Sequence, residues 1–313
     1  MLRWRLISAA VILSIVFGLI ALDFFRIGLQ SGQLSTGVAP TGIWLLPLIL
    51  VIALLGASEV TDLLNTQNLR PSRRVVLLGT FLIVIASSWT PIAELFGLPL
   101  SDKHEMGRFG LPMVALALGV TLAFALEMQR FERPGGVIIK VALAVFAMAY
   151  VGLFSAFLVR LRLHHDHRWG MAAMVSAVWV VKWSDVGAYT VGRLIGRYKI
   201  TPRLSPGKTL EGFLGAIAFG CIFSMLYFHV IMVPLWRLDH SSTAWWQSIL
   251  YGVIVAIVGA IGDLAESLIK RDLGAKDSSR WLPGLGGVLD IMDSPYMVAC
   301  PAYLCWELGL VGA

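Results

Sequence analysis

The sequence predicts an all-α, polytopic integral membrane protein with about nine transmembrane helices and its chemistry gathered at the cytoplasmic face. Three observations carry this expectation. The 313 residues are 58% hydrophobic and only 14% charged, with a mean hydropathy of +0.79, which leaves too little polar surface for a soluble globule. Apolar runs of about 20 residues, the length that crosses a hydrocarbon core, recur along the whole chain. The charges that do occur are bunched, with ten Asp, Glu, Lys and Arg residues among the 32 positions from Gly262 to Asp293. The runs are continuous and longer than barrel strands, which argues against a β-barrel.

Taken in order, the first run (6–25) follows Arg3 and Arg5 and could pass for a secretory leader. It is too long and lacks a small-residue cleavage site, so it is expected to persist as a helix. Runs at 42–62, 75–93, 109–127 and 137–159 follow, each bounded by charge or turn residues. The sixth, 170–191, holds Lys182 and Asp185, an intramembrane charge whose cost needs a partner or a cavity. The seventh (211–233) begins just after "SPGKT", the eighth (245–265) leads into the charged stretch, and the ninth (294–312) ends the chain. The runs leave no room for a soluble module, so residues 1–313 read as one membrane domain. Residues 1–165 carry few motifs and 166–313 carry the chemistry-bearing helices and loops. Cys221, Cys300 and Cys305 lie inside apolar runs without metal-ligand spacing and read as small buried hydrophobes.

Counting Lys and Arg in alternate loops gives sixteen on the side of the N-terminus and seven opposite, with Lys140 and Lys182 inside segments. The positive-inside rule therefore predicts a cytoplasmic N-terminus and places both motif loops on that face. The basic loop "RLRLHHDHR", Arg160 to Arg168, falls on the wrong side. Its "HHDH" reads either as a solvated loop or as a transition-metal site.

The charged stretch has internal order. If residues 263–271 continue the eighth helix, Asp263, Glu266, Ser267 and Lys270 share one face. Asp290 and Asp293 are again three apart where the chain re-enters the bilayer. Four carboxylates near one interface suggest a hard cation, magnesium by preference, since isolated carboxylates there are costly; a salt-bridge network of Asp263 and Glu266 with Lys270 and Arg271 is the alternative. "PGLGG", Pro283 to Gly287, offers unobstructed backbone N–H groups to an anion or serves as a tight turn. "SPGKT" is not a Walker loop, because Pro202 stands where the pattern needs glycine and no strand precedes it. Ser205, Lys208 and Thr209 nonetheless sit at a helix start that favours phosphate, or form a basic loop against anionic headgroups.

The ordered set "DVGAY", "SPGKTLEGFLG" and "GDLAESLIKRDLGAKDSSRWLPGLGGVLDIMDS" resembles the phosphatidate cytidylyltransferase family over the last 130 residues or so. That resemblance implies transfer of the cytidylyl group of CTP to phosphatidic acid, with magnesium and in some cases a second cation. It implies Asp263 and Asp290 as metal ligands, and Glu266, Lys270 and Asp293 as further catalytic residues. Ser205, Lys208 and Thr209 would hold nucleotide phosphates, and Arg271, Lys276, Gly286 and Gly287 substrate or pyrophosphate, with Asp185 at the cavity wall or a cation site. Expected partners are CTP, phosphatidic acid and membrane lipids, with a homodimer possible and no nucleic acid. Two positions depart from the family pattern: Leu285 replaces a histidine and Ile291 an arginine. A CTP-using enzyme for another lipid acceptor, or a degenerate member, is the alternative. The setting expected is a bacterial cytoplasmic membrane.

Overall fold

A computed structural model describes residues 2–30, 33–35, 39–67, 70–98, 107–132, 134–238, 242–279 and 286–312. All nine apolar runs fall on helical segments. The chain groups into two compact units, Met1–Arg160 with Leu273–Ile291, and Leu161–Asp272 with Met292–Ala313.

In the first unit α1 (Leu2–Phe24) leads to a hairpin of β1 (Gly28–Gln30) and β2 (Gln33–Ser35), paired antiparallel through Leu29 and Leu34. This small strand pair was not expected. Then come α2 (Leu46–Thr66), α3 (Arg73–Ser87) and α4 (Trp89–Leu95). The run at 75–93, expected as one helix, is bent by 70° between α3 and α4. The physical reason lies in Pro91, which has no N–H for the carbonyl of Ser87 four residues earlier and crowds it with its ring, while the hydroxyls of Ser87 and Ser88, bonded back to Ile83 O and Val84 O, loosen the same turn. Next, α5 (Gly107–Gln129) shows Met113, Val114, Leu118, Leu122 and Phe124 on its exposed side. Then α6 (Val137–Ala147) runs through a π-helical turn, Met148–Leu153, into α7 (Phe154–Arg162). Met148 lies between Gly79 of α3 and Gly119 of α5, where any Cβ would collide with its sulfur.

The second unit opens with α8 (His167–Ile195), capped by Asp166, whose carboxylate accepts from Arg168 N and Trp169 N at 2.9 Å each. It continues with α9 (Leu210–Leu226), a π-helical turn, α10 (Met232–Trp236) and α11 (Trp245–Asp272). Last is α12 (Val288–Glu307), most of which belongs to this unit. Glycines bring the axes close: a Cβ on Gly187 of α8 would stand 2.6 Å from Gly215 O of α9, and one on Gly252 of α11 2.6 Å from Gly220 O. Buried hydroxyls are satisfied across these contacts: Trp306 Nε1 donates to Ser176 Oγ (3.1 Å), which also meets Tyr251 OH at 2.9 Å.

Among the described residues five helices are long and apolar enough to cross a membrane, or six if the bent pair counts as one span. Two of the nine runs miss that standard because their helices carry charge: α8 holds Arg168, Lys182, Asp185 and Arg193, and α12 holds Asp290, Asp293 and Glu307. The first is represented among the described residues by the shorter apolar stretch Ala10–Phe24.

Candidate active site

The second unit assembles a charged cluster from four pieces of chain. On α8, Lys182 and Asp185 are one turn apart and paired at 3.3 Å. Between α8 and α9 the chain makes a compact loop. Ser205 N donates to Thr201 O (2.9 Å), Lys208 N to Ser205 O (3.1 Å), and Ile200 N to Lys208 O (3.2 Å). Glu211 closes it by accepting the N–H groups of Arg197 (3.0 Å) and Tyr198 (3.3 Å). The closed loop delivers Lys208 to α11, where its Nζ lies 2.9 Å from Asp263 Oδ2 and 3.4 Å from Ala260 O.

The fourth piece is α12. It touches α11 where Gly262 leaves room, since a Cβ there would come within 2.6 Å of Asp293 O. Asp263 is the next residue, and Asp293 interacts electrostatically with Lys182, Asp263 and Asp185. Asp185 in turn feels Lys182, Asp263 and Lys208. Three carboxylates against two ammonium groups leave one formal negative charge, a field that suits a divalent cation accompanying polyphosphate. Among the described residues no three His, Cys, Asp or Glu side chains stand close enough to form a ready metal cage.

Other expected residues have different company. As anticipated, α11 runs unbroken to Asp272. Glu266, 1% exposed, is held by Lys270 at 2.5 Å, while Asp263 pairs with Lys208, so this face does not act as one group. Arg271 and Lys276 are exposed, and Ser205 is half-buried in its turn. The Thr209 hydroxyl, expected at a phosphate, accepts from Gly212 N at 3.1 Å as the N-cap of α9.

A second polar constellation lies within the first unit. Asp290 Oδ2 accepts from Ser278 N (3.1 Å), Ser278 Oγ (2.8 Å) and Gly287 N (2.7 Å). Gly287 immediately precedes α12 and Asp290 is its third residue, so the carboxylate reaches back over the helix start as in a capping box. The Gly287 N–H, expected at an anion, donates here to Asp290. Gly286, at φ +89°, makes the turn that only glycine adopts easily. Pro283, Gly284 and Leu285 lie outside the described residues; Ile291 is half-buried.

Sequence reasoning missed Glu59 of α2. It is 3% exposed and accepts from Ser278 Oγ (2.9 Å), Ser279 Oγ (2.7 Å), Val288 N (2.9 Å) and Leu289 N (2.8 Å). The available signal was a lone carboxylate within an apolar run. Glu211 was also passed over, although it is the third residue of "TLE". In "HHDH", Asp166 serves as the α8 cap and His164 is buried, with Nδ1 3.4 Å from Glu307. His164 is therefore not part of a solvated loop.

The model of the cytidylyltransferase family matches residues 5–308. The protein of Staphylococcus haemolyticus called phosphatidate cytidylyltransferase is 39% identical over 160 residues, 51% of this chain and 56% of its own length. The protein of that name from Staphylococcus saprophyticus is 38% identical over the same shares. The chain thus spans little more than half the length of these two relatives. The Staphylococcus aureus protein of that name is 30% identical over 258 residues, 80% of this chain and 85% of its own length. With the family model spanning nearly the whole chain, from the first helix to the end of α12, this protein belongs to the cytidylyltransferase family.

Proposed function

We propose that this protein is a CTP:phosphatidate cytidylyltransferase that makes CDP-diacylglycerol for phospholipid synthesis. The observation that carries the reading is the Lys208–Asp263 pair set among Asp185, Asp293 and Lys182 in a member of this family. A phosphate oxygen of phosphatidic acid attacks the α-phosphorus of CTP; the new P–O bond forms as the bond to the β-phosphate breaks, and pyrophosphate leaves. The nucleophile arrives anionic, so no strong base is needed and the task is to align two polyanions and offset their charge.

Lys208 suits that task, since its ammonium can exchange Asp263 for a nucleotide phosphate. Lys270, Arg271 and Lys276 would offset charge on the lipid phosphate or the departing pyrophosphate. The oxygen-rich donor set of Asp263, Asp293 and Asp185 fits magnesium, which takes one or two carboxylates and completes its shell with water and substrate phosphates. When bound there, magnesium would supply charge neutralisation at the α-phosphate and the leaving group. Lys182, paired with Asp185, limits the repulsion among these carboxylates.

The lysine and arginine bias supports a cytoplasmic N-terminus and a catalytic face on that side, and the bacterial relatives support a bacterial cytoplasmic membrane. The test is incorporation of radiolabelled CTP into a chloroform-soluble product by purified protein with phosphatidic acid and magnesium. Product that is lost in Asp263→Asn supports the reading and shows that Leu285 and Ile291 are tolerated. No product beside an active relative sinks it in favour of another lipid acceptor or a degenerate member.

A further inference from the structure

The geometry points to Glu59 as a positioning residue for the transfer, acting through the segment that carries Ser278 and Asp290. Glu59 receives donors from both sides of residues 280–285. Ser278 and Ser279 reach it from before that stretch, Val288 and Leu289 from after it, all at 2.7–2.9 Å. A carboxylate has about four acceptor sites; Ser279, Val288 and Leu289 give Glu59 three donors of its own, and the Ser278 hydroxyl is shared with Asp290. One side chain of α2 thus ties Ser278 and Ser279 to the first residues of α12.

The tie extends to Asp290. Ser278 Oγ stands 2.9 Å from Glu59 Oε2 and 2.8 Å from Asp290 Oδ2, with one hydroxyl proton between the two carboxylates. Gly287 packs against the same group, where an added Cβ would come within 2.5 Å of Glu59 Oε2. The first two N–H groups of α12 would otherwise be unsatisfied donors in a buried place, and Glu59 takes both. Moving Glu59 therefore moves the start of α12, and with it the placing of Asp290 and of Asp293 one turn further on. The inference rests on the proposed reaction, in which Lys276 and Asp293 act on substrate charge.

Glu59→Gln keeps the size of the side chain but presents an NH2 group to some of the four donors. The expected result is a fall in kcat of about tenfold or more, as for a lost charge-assisted hydrogen bond, together with a higher magnesium requirement. Faster tryptic cleavage after Lys276 should accompany both. Asp62→Asn is the control: Asp62 lies in the same helix, is half exposed and pairs only at the surface with Arg73, so all three readouts should stay at wild-type values. A merely structural role would lower activity in step with the folded fraction and leave the magnesium requirement and KM unchanged; that result overturns the inference. Wild-type kinetics in a folded Glu59→Gln protein overturns it too. If the wild type itself transfers no cytidylyl group, the reaction is misassigned and the positioning role falls with it, whereas the cleavage rate still decides whether Glu59 holds the segment.

Discussion

Replacing Lys208 by methionine separates the two tasks that its position suggests. As a structural partner Lys208 counts for little: it pairs with Asp263 at 2.9 Å, but the side chains are 22% and 42% exposed, and water screens such pairs to about 1 kcal/mol or less. The fold should survive. As a phosphate ligand it counts for more, because a charge-assisted hydrogen bond contributes about 1.5–3 kcal/mol, or roughly 10- to 150-fold in kcat/KM for CTP. The electrostatics give a second, opposite sign. Without Lys208 the three carboxylates face only Lys182, the formal charge of the cluster moves from −1 to −2, and the magnesium concentration for half-maximal rate should fall or hold. The assay is initial-rate transfer across a grid of CTP and magnesium concentrations, with a thermal melt of each preparation. An unchanged kcat/KM for CTP, or a rise in the magnesium requirement, would refute the reasoning that Lys208 leaves Asp263 to meet nucleotide phosphate.

Further expectations follow from the same contacts. Asp290→Asn should lose both transfer and resistance to trypsin after Lys276, because its carboxylate closes the start of α12, whereas Asp293→Asn should lose transfer with the cleavage rate unchanged. Glu211→Ala removes the acceptor of two loop N–H groups; cleavage after Arg197 or Arg203 should quicken and the KM for CTP should rise, measured by timed digestion and initial rates. Gly187→Ala puts a methyl group against Gly215 O and the Phe219 ring, and overpacking of this kind costs about 1–3 kcal/mol, visible as a lower melting temperature. Asp166→Ala should cost about 0.5–2 kcal/mol by uncapping α8, with transfer per folded molecule unaffected.

The helices were legible because each apolar run is a local property of the chain, and the bilayer rule needs only length and composition. The bend between α3 and α4 was missed although Pro91 inside the run is a local signal for it, since a proline removes the helical bond to the carbonyl four residues before. The Lys182/Asp185 pair and the continuation of α11 through Asp263 were visible for the same local reason. Partners distant in sequence were not visible. Nothing in "SPGKT" says that Lys208 reaches Asp263, 55 positions on, and nothing in "GASEVTDLL" says that Glu59 meets Ser278 and Leu289 more than 200 positions on.

Residue type alone does not separate two uses of polar groups at helix starts, and this chain has two cases. Threonine and glycine are residues that phosphate sites use and equally residues that helix caps use, because both present or satisfy the same free N–H groups. Thr209 and Gly287 looked like anion ligands and are taken up by α9 and α12. What these caps achieve is still functional in kind. With Thr209 closing α9 and Glu211 closing the loop before it, Lys208 is held on a short, rigid lead. With Asp290 closing α12, the next carboxylate along the helix, Asp293, is free to face Asp263 and Asp185. Of two aspartates three residues apart, one thus holds the helix start through its Oδ2 and the other lies in the field of Asp263, Asp185 and Lys182.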